Sequence, residues 1–185
     1  MSGDGSVRAF VALEIDAALR QGLDELQQRL RPTLGAARLV RAEGIHLTLR
    51  FLGTTSPAQV STLEPSLRAA ASTCPTLRAR VRGVGTFPER GSPRVLWVGV
   101  ELPPPASDLQ RACEQAARDA GFAPEERPFR AHLTLGRWRE RAARPELPAV
   151  DLGETRLESL VLFRSETRPE GASYTPLQLF PLGAG

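Results

Sequence analysis

A chain of 185 residues that is 41% hydrophobic and 24% charged is long enough to bury a full core and falls in neither the disordered nor the membrane-embedded range. All 24 cationic residues are Arg, Lys and Asn are absent and Ile occurs twice. This bias resembles the codon usage of a GC-rich genome, so the net charge of +3 permits a phosphate-bearing ligand without demanding one.

Residues 1–7 are Gly/Ser/Asp-rich and lack a charged segment leading into an apolar one, and no later stretch approaches eighteen apolar residues. A frayed start over residues 1–6, a cytoplasmic location and no membrane partner are expected. Residues 7–15 read as a strand, and Asp16 then caps a helix whose Leu19, Leu23, Leu26 and Leu30 form one stripe. Pro32 ends it. A short strand over 38–41 and a longer one over 45–52, closed by Gly53, come next. Ser56, Pro57 and Gln59 supply an N-cap, a first-turn proline and a capping-box partner for a helix over 57–71, in which Pro65 predicts a kink or an early break.

Residues 77–84 and 95–100 read as a hairpin around a turn with Pro88, Gly91 and Pro93. Leu109, Cys113, Ala116, Ala117 and Ala120 mark a helix stopped by Gly121. A strand over 132–138, an Arg/Ala/Pro-rich loop over 139–148, and strands over 155–166 and 174–182 complete the chain. The short links between strands predict antiparallel α+β lobes within one domain. Cys74 and Cys113 are far apart and match neither a redox nor a metal-ligand spacing.

The only two histidines each open the same tetrapeptide, His46-Leu47-Thr48-Leu49 and His132-Leu133-Thr134-Leu135. Given the first, chance repetition of the three residues after the second histidine is roughly one in a thousand in so Leu-rich a chain. On a strand, His46 and Thr48 share one face and Leu47 and Leu49 the other, and the same holds for His132 and Thr134. Two such strands side by side would line a groove with two imidazoles and two hydroxyls. Imidazole titrates near neutrality, so one ring suits removing a proton from an attacking oxygen and the other giving one to a departing oxygen. A nearby guanidinium and the Thr hydroxyls would stabilise the charge of a phosphoryl transition state, and no metal or other cofactor is required.

These motifs, with Arg8-Ala9-Phe10-Val11-Ala12, Arg50-Phe51-Leu52-Gly53 and Phe129-Arg130-Ala131 around them, resemble the two-histidine phosphoesterase superfamily. The closest likeness is to its bacterial RNA 2',3'-cyclic phosphodiesterase branch, also called 2'-5' RNA ligase. The resemblance implies a bilobal α+β fold of two pseudo-symmetric antiparallel sheets, each backed by helices, with the active-site groove between them. It also implies hydrolysis of a 2',3'-cyclic phosphate to a 2'-phosphate, with His46 donating to the leaving 3'-oxygen and His132 activating water. The family places an arginine five residues after the second histidine, where this chain has Arg137. Strand parity sets Arg137 against His132, so it reaches the groove only through a bulge or the strand's end near Gly136. The branch usually has proline where this chain has Ala131.

Thr48, Thr134, Arg137, Arg130 and Phe10 are therefore the candidate substrate-binding residues. Arg50 is a weaker one. For the threonines, strand packing is the competing reading. Phe10 and Trp138 are candidates for stacking on a base, against burial in the core. The expected partners are RNA ends or small cyclic nucleotides, bound by a monomer. Competing functions are 2'-5' ligation or 2'-5' phosphodiester cleavage, and non-catalytic binding of RNA ends, which would need fixed charge but not two histidines. Zinc is excluded by ligand supply, since two histidines and two scattered cysteines match no common spacing.

Overall fold

The computed structural model describes residues 5–168 and 171–183; of the start expected to fray, residues 1–4 lie outside the described residues. The chain runs β1 (Val7–Leu13), α1 (Ala17–Leu30), β2 (Arg38–Leu39), β3 (Leu47–Thr55), α2 (Pro57–Thr73), β4 (Leu77–Phe87) and β5 (Val95–Glu101). It continues with α3 (Pro105–Asp119), β6 (His132–Arg137), β7 (Asp151–Leu157), β8 (Ser159–Arg168) and β9 (Gly171–Pro181). Two sheets result, one of four strands in the order β3-β1-β8-β9 and one of five in the order β2-β6-β5-β4-β7. Neighbouring strands run antiparallel throughout both sheets. The fold is α+β.

Local chemistry explains most boundaries. Asp16 accepts a hydrogen bond from the Leu19 backbone N–H and starts α1. Ser56 and Gln59 form a reciprocal capping box at the start of α2. Helix α2 continues through Pro65 without the expected break. Pro65 and Ser61, whose carbonyl loses its partner, are exposed, while Leu63, Leu67 and Ala71 face the core. Water can serve the freed carbonyl.

Two expected strands are redrawn. The one expected to close at Gly53 runs on to Thr55, because Gly53 takes φ +77° beside a bulge at Leu52 and keeps pairing with Ala9. The single strand expected over 155–166 is two strands in different sheets, β7 against β4 and β8 against β1 and β9. Glu158 is the link, and no Gly or Pro signals the change.

Helix α1 lies on the five-stranded sheet, and α2 and α3 pack on each other and on the four-stranded sheet. Buried side chains of both sheets and all three helices form one continuous cluster. Leu47 and Leu133, the second residues of the two repeats, line one small interstice of that cluster with Ile15, Val81, Val100 and Leu157. Both leucines are fully buried, so truncating either to Ala costs about 2–5 kcal/mol. Their anchoring brings β3 and β6 together where the sheets meet. Among the described residues no helix is long and apolar enough to cross a membrane.

Candidate active site

The two repeats share a backbone device as well as a sequence. In β3 the register jumps from Thr48 opposite Ala12 to Arg50 opposite Val11, leaving Leu49 as an extra residue. In β6 it jumps from Thr134 opposite Trp97 to Gly136 opposite Leu96, leaving Leu135 extra. A bulge at the fourth position of each repeat reverses the parity of the residues after it. Residues 46, 48 and 51 therefore share one face, as do 132, 134 and 137. Arg137 joins His132 and Thr134 through this bulge, and Phe51 holds the matching place after His46.

The bulge sends Arg50 the other way. Its guanidinium, only 7% exposed, pairs with Glu114 of α3 at 2.6 Å and donates to the Phe51 and Ala123 carbonyls, as a strut between β3 and α3. Arg50 is thus removed from the candidate ligands. The second bulge has a different support. Gln27 of α1, 3% exposed, donates from Nε2 to the carbonyls of Val40 at 2.7 Å and Leu135 at 2.8 Å. It ties the extra residue to α1 and fixes the turn that aims Arg137.

His46 sits just before β3 rather than in it, half-buried in a nest of rings. Phe10 stacks on it at 4.6 Å and Phe163 at 5.4 Å between centroids, and Tyr174 meets it edge-on at 4.9 Å. Room for Tyr174 depends on Gly44, where a Cβ would lie 3.2 Å from the tyrosine ring. Burial, then the charge of Arg20, push the His46 pKa down to about 4. Arg20 in turn donates to the carbonyls of Ala42 at 2.9 Å and Ile15 at 3.2 Å, which clamps the short turn leading into His46 against α1. Phe10 is 2% exposed and covered by His46, Phe163 and Tyr174, so it supports the imidazole and offers no free face to a base. Trp138 is likewise buried and donates from Nε1 to the Leu34 carbonyl at 3.0 Å. Both rings are buried, against the expectation of a face open to a base.

His132 is held differently. Its Nδ1 lies 2.6 Å from the Arg130 carbonyl oxygen, which can only accept, so Nδ1 carries the proton and the neutral ring leaves Nε2 bare. Phe87 meets the ring edge-on at 5.2 Å. Burial lowers the His132 pKa, the bond to Arg130 opposes that shift, and Arg137 adds to it. The Arg130 side chain is turned to the rim, paired with Glu89 at 2.5 Å and set over the Phe87 ring. Trp97 lies opposite Thr134, and its ring occupies the place where a Cβ on Gly85 would come within 2.4 Å of it.

Arg137 links the halves. Its charge acts on His132 and also on Tyr174, the ring that touches His46. The hydroxyls of Thr48 and Thr134 are half-exposed and carry no hydrogen bond to other described residues. Among the described residues no three His, Cys, Asp or Glu side chains are grouped to hold a metal ion. Arg20, Gln27, Phe87, Trp97, Phe163 and Tyr174 carry no motif that marks them in the sequence. Only tertiary pairing brings them here, although Tyr174 as the sole tyrosine was a visible clue.

The family model described as LigT like Phosphoesterase matches this chain in two stretches, residues 13–97 and 100–174, each containing one repeat. The chain belongs to the LigT-like phosphoesterase family. An RNA 2',3'-cyclic phosphodiesterase of Methanothermobacter thermautotrophicus is 34% identical to it over 183 residues, covering 95% of this chain and 99% of that protein. One from Thermus thermophilus is 35% identical over 186 residues, covering 95% and 90%. A crystal structure of a Thermus thermophilus protein superposes with a TM-score of 0.85 at 31% identity, over 96% of this chain and 100% of the other.

Proposed function

We propose that this protein hydrolyses 2',3'-cyclic phosphates at RNA ends to 2'-phosphomonoesters, without a metal, in a groove supplied by one chain. The observation that carries the reading is the pairing of His132, whose bare Nε2 is oriented by the Arg130 carbonyl, with Arg137 on the same face. The names borne by the relatives from Methanothermobacter and Thermus favour the same substrate.

His132 Nε2 takes a proton from water as the water oxygen bonds to phosphorus. The bond from phosphorus to the 3'-oxygen breaks, and His46 gives that oxygen its proton, leaving a 2'-phosphate and a 3'-hydroxyl. Arg137 and the hydroxyls of Thr48 and Thr134 donate to the other phosphate oxygens, where negative charge gathers. In the free protein His46 is neutral near pH 7. An anionic cyclic phosphate beside it favours the imidazolium and offsets the burial that pushes its pKa down. The substrate thus helps to charge the acid that will act on it.

An RNA oligomer ending in a 2',3'-cyclic phosphate, incubated with the protein in EDTA, tests the reading by the product isomer. A 2'-phosphate is expected. A 3'-phosphate product, activity that returns only with a divalent ion, or binding without turnover would each overturn it.

A further inference from the structure

The two-residue edge strand β2 pairs with β6 so that Arg38 lies opposite Arg137 and Leu39 opposite Gly136. Residues opposite each other in an antiparallel pair point to the same face. Leu39 settles which face: it packs into the core cluster, and its Cδ2 lies 3.2 Å from where a Cβ on Gly136 would stand. Arg38 and Arg137 therefore share the opposite face, the one that carries His132 and Thr134. Both arginines are exposed, and among the described residues neither pairs with a carboxylate.

Two like charges set directly across a strand pair are unfavourable unless something between or before them is negative. Arg137 already acts on His132 and Tyr174, whereas Arg38 is not among the charges acting on either histidine. Arg38 thus stands one strand farther out, about 5 Å at the backbone, on the edge of the sheet. A guanidinium there suits a phosphate one position away from the reacting one, bound through a fork of N–H donors.

We propose that Arg38 extends the cationic face of Arg137 into a second-phosphate subsite, which receives the phosphate on the 5' side of the terminal nucleotide. The inference rests on the cyclic phosphodiesterase reading and adds the feature that separates an RNA end from a bare nucleoside cyclic phosphate. A mononucleotide bearing a 5'-phosphate would satisfy the same subsite as an RNA strand.

The test compares a nucleoside 2',3'-cyclic phosphate, its 5'-phosphorylated form and an RNA oligomer with the same end. In the parent protein, kcat/KM is expected to be higher for the two substrates with a second phosphate. In Arg38→Gln that advantage should fall by roughly tenfold, mainly through KM, and Arg38→Lys, which keeps the charge without the fork of donors, should keep only part of it. Loss of equal size on all three substrates would put Arg38 on the reacting phosphate, and no loss on any would leave it without a ligand; either overturns the proposal. A parent without preference for the second phosphate also overturns it.

Binding separates this inference from the chemistry. The probe is a fluorescent RNA oligomer ending in a 2'-phosphate, titrated at several salt concentrations. Its log-affinity against log-salt slope should be shallower in Arg38→Gln by about 0.7, the value for one contact to a single strand. If the protein hydrolyses nothing yet shows this change, and shows it also with an oligomer ending in a 3'-hydroxyl, the catalytic reading fails and the subsite stands; a change confined to the 2'-phosphate probe overturns the subsite. An unchanged slope removes the subsite even if hydrolysis is found.

Discussion

His46 and His132 begin identical tetrapeptides with identical bulges, yet one imidazole is held by rings and the other by a carbonyl. Around His46, Phe10, Phe163 and Tyr174 exclude water and Arg20 adds positive charge, so the protonated form is strongly disfavoured in the free protein. Around His132, the Arg130 carbonyl selects the tautomer with Nε2 bare. Five residues after the histidine, one half presents Phe51 and the other Arg137. Repeated local sequence sets where the histidines stand. Their surroundings differ: rings from β1, β8 and β9 with Arg20 of α1 enclose His46, and the adjoining Arg130 carbonyl orients His132.

The largest expected effect breaks the pair one histidine at a time. His46→Ala and His132→Ala should each lower kcat by at least about a hundredfold. A substrate with a much better leaving group at the 3'-position should restore much of the activity of His46→Ala but not of His132→Ala. Rescue of His132→Ala alone would reverse the roles, and equal rescue would abolish the asymmetry.

Next in size is the contrast at the fifth position. Arg137→Ala should lower kcat/KM by about tens- to a thousandfold, as removal of a single transition-state donor does, with little change in thermal midpoint. Phe51→Ala, at the matching place, should change kcat far less. A similar loss from Gln27→Met, rescued by neither substrate charge nor leaving group, would show that the second bulge must be tied to α1 for Arg137 to aim correctly.

The pH profiles sharpen the comparison further. The kcat/KM profile reports the free protein and kcat the complex. His46 is pushed down to about 4 when free, and a bound anion raises it. The limb on which activity falls with rising pH should therefore lie at higher pH in kcat than in kcat/KM. Coincident limbs would mean that the substrate does not charge His46.

The smallest effect is on stability. Below the ordinary histidine value near 6.5 the unfolded chain takes up a proton that folded His46 refuses until about pH 4. Protons bound by the unfolded state exceed those of the folded state in that window, so the contribution of His46 falls as pH drops from about 6.5 to about 4. The thermal midpoint of His46→Phe, which keeps the stacked ring without a titrating nitrogen, should decline less over that interval than the parent's.

Several features were legible in the residues alone: the α+β class, the Asp16 cap, the Ser56-Gln59 capping box, the hairpin of β4 and β5, and the common face of His46 with Thr48 and of His132 with Thr134. Each is encoded within a few positions, by side-chain period or by a cap that closes on its own turn. Arg137 was legible only as a conflict between parity and resemblance, resolved by the bulge at Leu135.

Tertiary structure alone decided the rest. The matching bulge at Leu49 turned Arg50 toward Glu114. The rings on His46 include Phe163 and Tyr174, more than a hundred positions away, and they covered Phe10, which looked available to a base. The division at Glu158 sent adjoining strands into different sheets without a Gly or Pro to announce it. A period along the chain specifies which side chains share a face. It does not specify which distant strand pairs with that face, where an extra residue will reverse it, or how much water its histidine will keep, because pairing, bulging and burial are properties of contacts between segments.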